Sequence, residues 1–286
     1  MRQIMKICDL HTHSYYSDGT FSPEELIQIA EKKNVAAVAL TDHNSTKGLP
    51  EFMRAGEDSK VVTIPGCEFT TEYRGTELHM VGLFFSEDKW PAVEAYLEPM
   101  RVAKKDSNHT LIDNLSDAGY NISYEEVAAT TDADEFNRAH VARFLTAKGY
   151  VASIKEAFDE LLYEGGKFYI PPKRLDVFET IKFINKCGGV SVLAHPFLNL
   201  SRGELEEFLP MAAEAGLVAM ETRYSKYDEE TTAAAMMLAE KNGIMESGGS
   251  DFHGDAKPGV NMGSGRGNLA VPFEIYEELK EYQCRK

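Results

Sequence analysis

Two histidines one residue apart, His11-Thr12-His13, close the apolar run Ile4 to Leu10. Successive side chains of a strand point to opposite faces, so the two rings lie on one face with converging nitrogens, the geometry of a metal-ligand pair. Alone the pair carries little, because strand histidines more often sit exposed or hydrogen-bonded. The other histidines and acids give it weight: Asp42-His43, Glu68, His79, His195 and Asp251-Phe252-His253 each stand at or just past the end of an apolar run. Of the 8 histidines, His109 and His140 lie elsewhere. Imidazole nitrogen with carboxylate oxygen suits Zn, Mn or Fe(II), and no cysteine cluster points to a structural zinc site. With Asp18, Glu68 and Asp251 joining His11, His13, His43, His79, His195 and His253 there are nine candidate ligands. One metal takes about four protein ligands, so this set implies two or three.

Some of these residues have plainer readings. An isolated histidine on an amphipathic strand, such as His79, is ordinarily a satisfied core residue, and Asp18 lies in a Ser-Asp-Gly stretch that turn chemistry alone explains. Asp42 suits the task of orienting a ligand as well as that of binding. Arg223 with Tyr224, and Lys257, follow the later strands where a rim would meet a phosphorylated substrate. The glycine-rich Gly263-Ser264-Gly265-Arg266-Gly267 has no helix after it and is a poor phosphate-binding loop.

The elements that must position these residues alternate. Apolar runs at Ile4–Leu10, Val35–Leu40, Val61–Ile64, Glu77–Phe85, Val190–Ala194, Leu217–Glu221 and Ile244–Ser247 read as about seven strands. Between them fall amphipathic helices, the first opened by the capping box Ser22-Pro23-Glu24-Glu25. From 86 to 172 the periodicity is helical throughout, too long for a loop, and predicts a helical insertion that suits a lid. Repeated strand-helix units imply a parallel sheet with polar residues gathered at the C-terminal rim of a barrel. The expectation is a barrel from 1–85 and 173–286 interrupted by an 86–172 subdomain.

The chain has 286 residues, 43% of them hydrophobic, enough for a sizeable core. No stretch approaches the roughly 18 apolar residues of a membrane span, and the first residues read into a strand rather than a leader, so a cytoplasmic protein is expected. Cys8, Cys67, Cys187 and Cys284 have no Cys-x-x-Cys spacing and read as free thiols. The formal net charge of −16 argues against stable binding to duplex DNA, which needs clustered Lys and Arg. A phosphorylated substrate stays open, since bound metals make a pocket locally positive.

Asp9-Leu10-His11-Thr12-His13-Ser14 with Asp18-Gly19, Leu40-Thr41-Asp42-His43, Pro65-Gly66-Cys67-Glu68, Ala194-His195-Pro196 and Ser250-Asp251-Phe252-His253 together resemble the successive motifs of the PHP (polymerase and histidinol phosphatase) family. The resemblance implies a distorted (β/α)7 TIM-like barrel of the α/β class with a trinuclear centre at its C-terminal face. It implies that His11, His13, Glu68 and Asp251 hold the first metal; Glu68 as a bridge, with His79 and His195, the second; and Asp18, His43 and His253 the third. Within the insertion, Asn137-Arg138-Ala139-His140 and Tyr169-Ile170-Pro171-Pro172 are similar to the nucleotide phosphoesterase branch. That likeness implies that Arg138, His140 and Lys173 face the substrate.

The expected activity is hydrolysis of a phosphate ester of a small nucleotide, a nucleoside 3′,5′-bisphosphate or the 5′ end of a short oligonucleotide. A metal-bound hydroxide, held by Glu68, His11, His13 and Asp251, would be the nucleophile. Histidinol-phosphate phosphatase is the alternative enzyme, against which the insertion argues. A metal-binding PHP scaffold without turnover is the alternative of another class.

Overall fold

Strand β1, Ile7–Thr12, is the buried part of the first apolar run and ends with His11 and Thr12 fully inside the protein. A computed structural model describes residues 6–131 and 136–285; Ile4 and Met5, the start of the expected strand, lie outside them. Helix α1, Pro23–Lys32, starts at the expected capping box: Ser22 Oγ accepts from Glu25 N–H, and the Glu25 carboxylate accepts from Ser22 N–H. Leu26, Ile27 and Ala30 form its buried face. Strand β2, Val35–Leu40, is buried almost throughout, as a parallel strand covered on both faces should be. Then come α2 (Leu49–Gly56), β3 (Val62–Tyr73), β4 (Thr76–Leu83), α3 (Trp90–Asp117), α4 (Tyr124–Ala128), α5 (Arg138–Ala147) and α6 (Ile154–Glu160). The alternation resumes with β5 (Leu175–Asp176), α7 (Val177–Lys186), β6 (Val190–Leu193), α8 (Arg202–Glu214), β7 (Ala219–Tyr224), α9 (Glu229–Lys241), β8 (Met245–Gly249), β9 (Val271–Pro272) and α10 (Phe273–Cys284).

The strands form one sheet in the order β8-β7-β6-β4-β3-β2-β1-β9, with β5 beside β3. Strands β1, β2 and β3 pair in parallel, as do β6, β7 and β8, while β4 runs antiparallel to both β3 and β6. That reversed strand, with the short β9 antiparallel to β1 at the other end of the order, distorts an otherwise parallel, TIM-like barrel. Closure runs from β8 to β1. A Cβ on Gly249 would lie 2.4 Å from His11 Cβ, so glycine lets the strands approach. Beyond it Asp251 N–H donates to His11 O and His13 N–H to Phe252 O, each at 2.9 Å. Cys8, Leu10, Ala37, Ile64, Val81, Val192 and Ala219 belong to the apolar core that these strands share.

Strand β3 departs from the expectation. The sequence places a strand only over Val61–Ile64, with Glu68 past its end; β3 instead continues to Tyr73 and turns tightly into β4, pairing Glu68 with Val81 and Thr70 with His79. Arg74 and Gly75, with φ of 51° and 83°, make a two-residue turn whose positive φ values match the strand twist. Glu68 and His79 therefore sit inside a hairpin rather than at strand ends.

The chain divides into two units, 1–96 with 174–286, and 97–173. The division falls within α3, later than residue 86, because the first turns of that helix belong to the barrel. Trp90 Nε1 donates to Phe85 O at 3.1 Å, Glu94 Oε1 accepts from Thr46 N–H and Oγ1–H at 2.6 Å each, and the Tyr96 ring stacks on Phe183 at 3.8 Å. The second unit has its own core, including Leu111, Leu115, Phe136, Val141, Leu145 and Leu162. Among the described residues no helix is long and apolar enough to cross a membrane. All four cysteines are free, three of them buried.

Candidate metal centre

The first unit gathers all nine candidate ligands at one end of its strands. Strand β1 delivers His11 and, one residue past its end, His13; the turn after it delivers Asp18. His43 follows β2, His195 follows β6, and Asp251 and His253 follow β8. Glu68 reaches the same place from within β3, because Asn44 N–H donates to Glu68 O at 2.7 Å and Glu68 N–H to Asp42 O at 3.2 Å, lacing β3 to the end of β2.

Five imidazoles surround the fully buried Glu68 carboxylate. Oε1 lies 2.9 Å from His79 Nδ1 and 3.1 Å from His195 Nε2; Oε2 lies 3.0 Å from His43 Nδ1, 3.2 Å from His11 Nε2 and 3.3 Å from His13 Nε2. Asp251 Oδ1 stands 3.4 Å from His13 Nε2, and Asp18 Oδ1 3.1 Å from His253 Nε2. Among the described residues, four sets have ligand atoms mutually within 4.8 Å: His13, Asp18, His43 and His253; His11, Glu68 and His195; His11, His13 and Asp251; and His43, Glu68 and His79.

These side chains fit divalent metals on the state of their atoms. Among the described residues, His11 Nε2, both His13 nitrogens, Glu68 Oε2 and His253 Nε2 are buried without a hydrogen bond. Each such atom costs about 1–3 kcal/mol when left unpaired, and a cation bound by nitrogen and oxygen satisfies several at once. His195 and Asp251 hold φ of 29° and 57°, conformations that non-glycine residues rarely adopt and that gather at functional sites.

The electrostatics follow from the crowding. Burial would raise the Glu68 pKa, but His43, His11 and His79 outweigh it and hold the carboxyl well below its usual range; His43 and His253 do the same for Asp18. Burial would lower His79, yet Glu68 and Glu77 raise it to about 10. His13 goes the other way: burial, then His253 and His43, bring it to about 4, so its ring is neutral at pH 7 with a lone pair to offer.

Behind the candidate ligands lies a set of residues of which sequence reasoning picked out only Asp42, as one that orients a ligand. Glu221 accepts from His11 Nδ1 at 2.8 Å with one oxygen and from His195 backbone N–H at 2.6 Å with the other. The Asp9 carboxylate accepts from Ser250 N–H, Ser250 Oγ–H and Gly263 N–H at 2.6–2.8 Å, which gives the glycine-rich stretch a structural use; burial lifts its pKa to about 6 all the same. Asp42 accepts from Ser14 and Ser17 and orients the loop that carries Asp18. Glu77 joins His79 Nε2 at 3.2 Å to Arg174 Nε at 2.8 Å. The one available signal was position: Glu221 ends an apolar strand just as the ligands do.

The substrate candidates divide. Lys257 Nζ and Tyr224 Oη both reach Asp251 Oδ2, at 2.7 Å each. Arg223 does not join them: a bulge in the β7–β8 register between Glu221 and Arg223 lets Glu221 and Tyr224 face the cluster, and the Arg223 guanidinium is held by Glu246. Arg138 and His140 belong to the second unit, where both have structural partners. Arg138 Nη1 donates to Leu162 O at 3.0 Å with its guanidinium over the Tyr169 ring, and His140 Nδ1 accepts from Asn137 N–H in the capping box of α5. Lys173 is exposed at the end of that unit, whereas its neighbour Arg174 is the cation that reaches Glu77.

The PHP domain profile matches residues 9–170. A 5′-3′ exoribonuclease of Haemophilus influenzae is 30% identical over 86% of this chain and 89% of its own length. A 3′,5′-nucleoside bisphosphate phosphatase of Chromobacterium violaceum is 27% identical over 95% of this chain and 96% of its own. The structure of an amidohydrolase from Chromobacterium violaceum, with bound sulfate and no metal, superposes with a TM-score of 0.82 at 27% identity, covering 96% of each chain. That of a proposed metal-dependent phosphoesterase from Bifidobacterium adolescentis gives 0.82 at 26% identity, covering 96% of this chain and 95% of the other. With this barrel, this cluster of histidines and carboxylates, and these relatives, the chain belongs to the PHP family and is a metal-dependent phosphoesterase, a hydrolase.

Proposed function

We propose that the centre takes two or three divalent cations, of Mn, Fe or Zn by ligand chemistry, and hydrolyses the phosphate ester of a small nucleotide. The substrate class is a nucleoside 3′,5′-bisphosphate or the 5′ end of a short oligonucleotide. The observation that carries the reading is the buried Glu68 with five imidazoles within 3.3 Å, the placement of a carboxylate shared between metal positions. The nucleotide class draws on the activities for which the two relatives above are named, each covered over most of its length.

His11, His13, Glu68 and Asp251 would hold one cation; Glu68, shared, with His79 and His195 a second; Asp18, His43 and His253 a third, while the ligand atoms mutually within 4.8 Å also group Glu68 with His11 and His195 and with His43 and His79. When bound, such ions neutralise phosphoryl oxygens and supply a nucleophile ionised near neutral pH. The chain's own residues do the rest. Asp251 turns Oδ1 to the histidines while Tyr224 and Lys257 hold Oδ2, so the carboxylate keeps one orientation. Lys257, 36% exposed, keeps an ammonium beside the cluster where a phosphoryl oxygen can meet it. The neutral His13 needs to lose no proton before it binds.

Phosphate release with Mn(II) from adenosine 3′,5′-bisphosphate, a 5′-phosphorylated trinucleotide, histidinol phosphate and p-nitrophenyl phosphate tests the reading. At least a tenfold preference in kcat/KM for one of the nucleotides is expected. Preference for histidinol phosphate would keep the centre and overturn the substrate.

A further inference from the structure

Glu221 is 2% exposed and touches no candidate ligand set from within; it stands behind two of them. Its Oε1 lies 2.8 Å from His11 Nδ1, and its Oε2 accepts from the backbone N–H of His195 at 2.6 Å. The second contact holds a residue whose φ of 29° is costly for any side chain but glycine. The first decides which nitrogen of His11 carries the proton. With a carboxylate on Nδ1, the proton stays there, and the lone pair of a neutral His11 is on Nε2, the atom that is buried without a hydrogen bond and faces Glu68 and Asp251.

We propose that Glu221 is a positioning residue that sets His11 as an Nε2 ligand and clamps the His195 turn, so that one carboxylate coordinates the assembly of two metal positions. Only a carboxylate accepts at both oxygens. In Glu221→Gln the amide must either donate to His11 Nδ1, which drives the proton to Nε2 and blocks the ligand atom, or oppose its own N–H to that of His195. The substitution changes shape little and inverts the required hydrogen-bond sense.

The inference rests on the metal-centre reading, and its test separates the two. Metal content after dialysis and Zn(II) affinity by chelator competition are measured for the wild type, Glu221→Gln and Glu246→Gln, the last on the neighbouring strand and paired with Arg223. Glu221→Gln is expected to weaken Zn(II) binding by about 10–100-fold, the usual effect of removing a ligand's outer partner, and Glu246→Gln to leave it unchanged. A change below tenfold in Glu221→Gln overturns the proposal.

A second measurement needs no variant: nitrogen-15 correlation of the histidines in the Zn(II)-loaded wild type is expected to find the His11 proton on Nδ1. A proton on Nε2 overturns the proposal even if Glu221→Gln does not fold. A wild type that retains no metal would remove the centre and this inference together. A wild type that loads metal yet ignores nucleotides would remove only the substrate reading.

Discussion

In the barrel, His11 finds its outer partner on Glu221, 210 residues along the chain, whereas in the helical unit His140 caps its own helix through Asn137, three residues back. The arginines differ in company. Arg174 in the barrel reaches Glu77, 97 residues away and next to a candidate ligand; Arg138 in the helical unit closes on Leu162 O, 24 residues away. Long-range partners leave the inner atoms of the barrel histidines pointed at one another, several of them without hydrogen bonds. Local partners give the helical residues structural tasks of their own. A histidine or arginine in a suggestive motif is thus distinguished less by its neighbours in sequence than by what the fold places against its outer atom.

The substitution that would break this contrast most forcefully is Glu68→Ala. Because Glu68 belongs to two of the four ligand sets and faces five histidines, its loss is expected to lower metal content by more than one equivalent. Phosphate release should fall by at least about 10²–10³-fold, the scale of losing one stabiliser of transition-state charge. Elemental analysis after dialysis reads the first effect. A loss of one equivalent or none would sink the bridging role.

Removing the metals should reverse the sign of a pH dependence. In the stripped protein Glu68 and Glu77 raise His79 to about 10, above its unfolded value. That charge therefore contributes stability fully below about pH 6.5 and loses it as pH rises through about 10. In the loaded protein protons compete with metal for histidine nitrogen, so stability rises with pH over the neutral range. Thermal unfolding from pH 6 to 10, with and without chelator, is expected to give opposite slopes. Parallel slopes would mean that the histidines are a self-contained ion cluster.

Most of the barrel was legible because parallel strands buried on both faces leave continuous apolar runs, and helices α1, α7, α8 and α9 begin at side-chain caps that can be read directly. The nine candidate ligands were legible as residue types at recurring places. What escaped depended on pairing. The length of β3 follows from its hairpin with β4, whose Arg74-Gly75 turn lacks the familiar Asn-Gly signature. The direction of Arg223 follows from a bulge that no local pattern announces, and Glu221 looks like one more acid at a strand end until His11 and His195 are placed on either side of it.

Arg138→Ala sharpens the contrast from the helical side. It removes a charge-assisted hydrogen bond of 3.0 Å to Leu162 O and a guanidinium stacked 4.3 Å from the Tyr169 ring centre, together worth about 1–3 kcal/mol. The expected result is a lower unfolding temperature with metal content unchanged and KM altered less than about threefold. A tenfold rise in KM at unchanged stability would return Arg138 to the substrate.

The smallest effect is expected at His140. Its Nδ1 accepts from Asn137 N–H while Asn137 Oδ1 accepts from Ala139 and His140 N–H, a reciprocal cap in which histidine does what Gln or Glu more often does. His140→Gln keeps an acceptor at the right reach, so stability should change by no more than about 0.5 kcal/mol, against about 1 kcal/mol for His140→Ala, which deletes the return bond to Asn137 N–H and leaves the Asn137 cap. Both should leave metal content and KM as they were. If His140→Gln kept stability but raised KM tenfold, the imidazole would have a task beyond its own helix, and the division between an assembled barrel centre and a locally satisfied helical unit would fail at the residue where it looks cleanest.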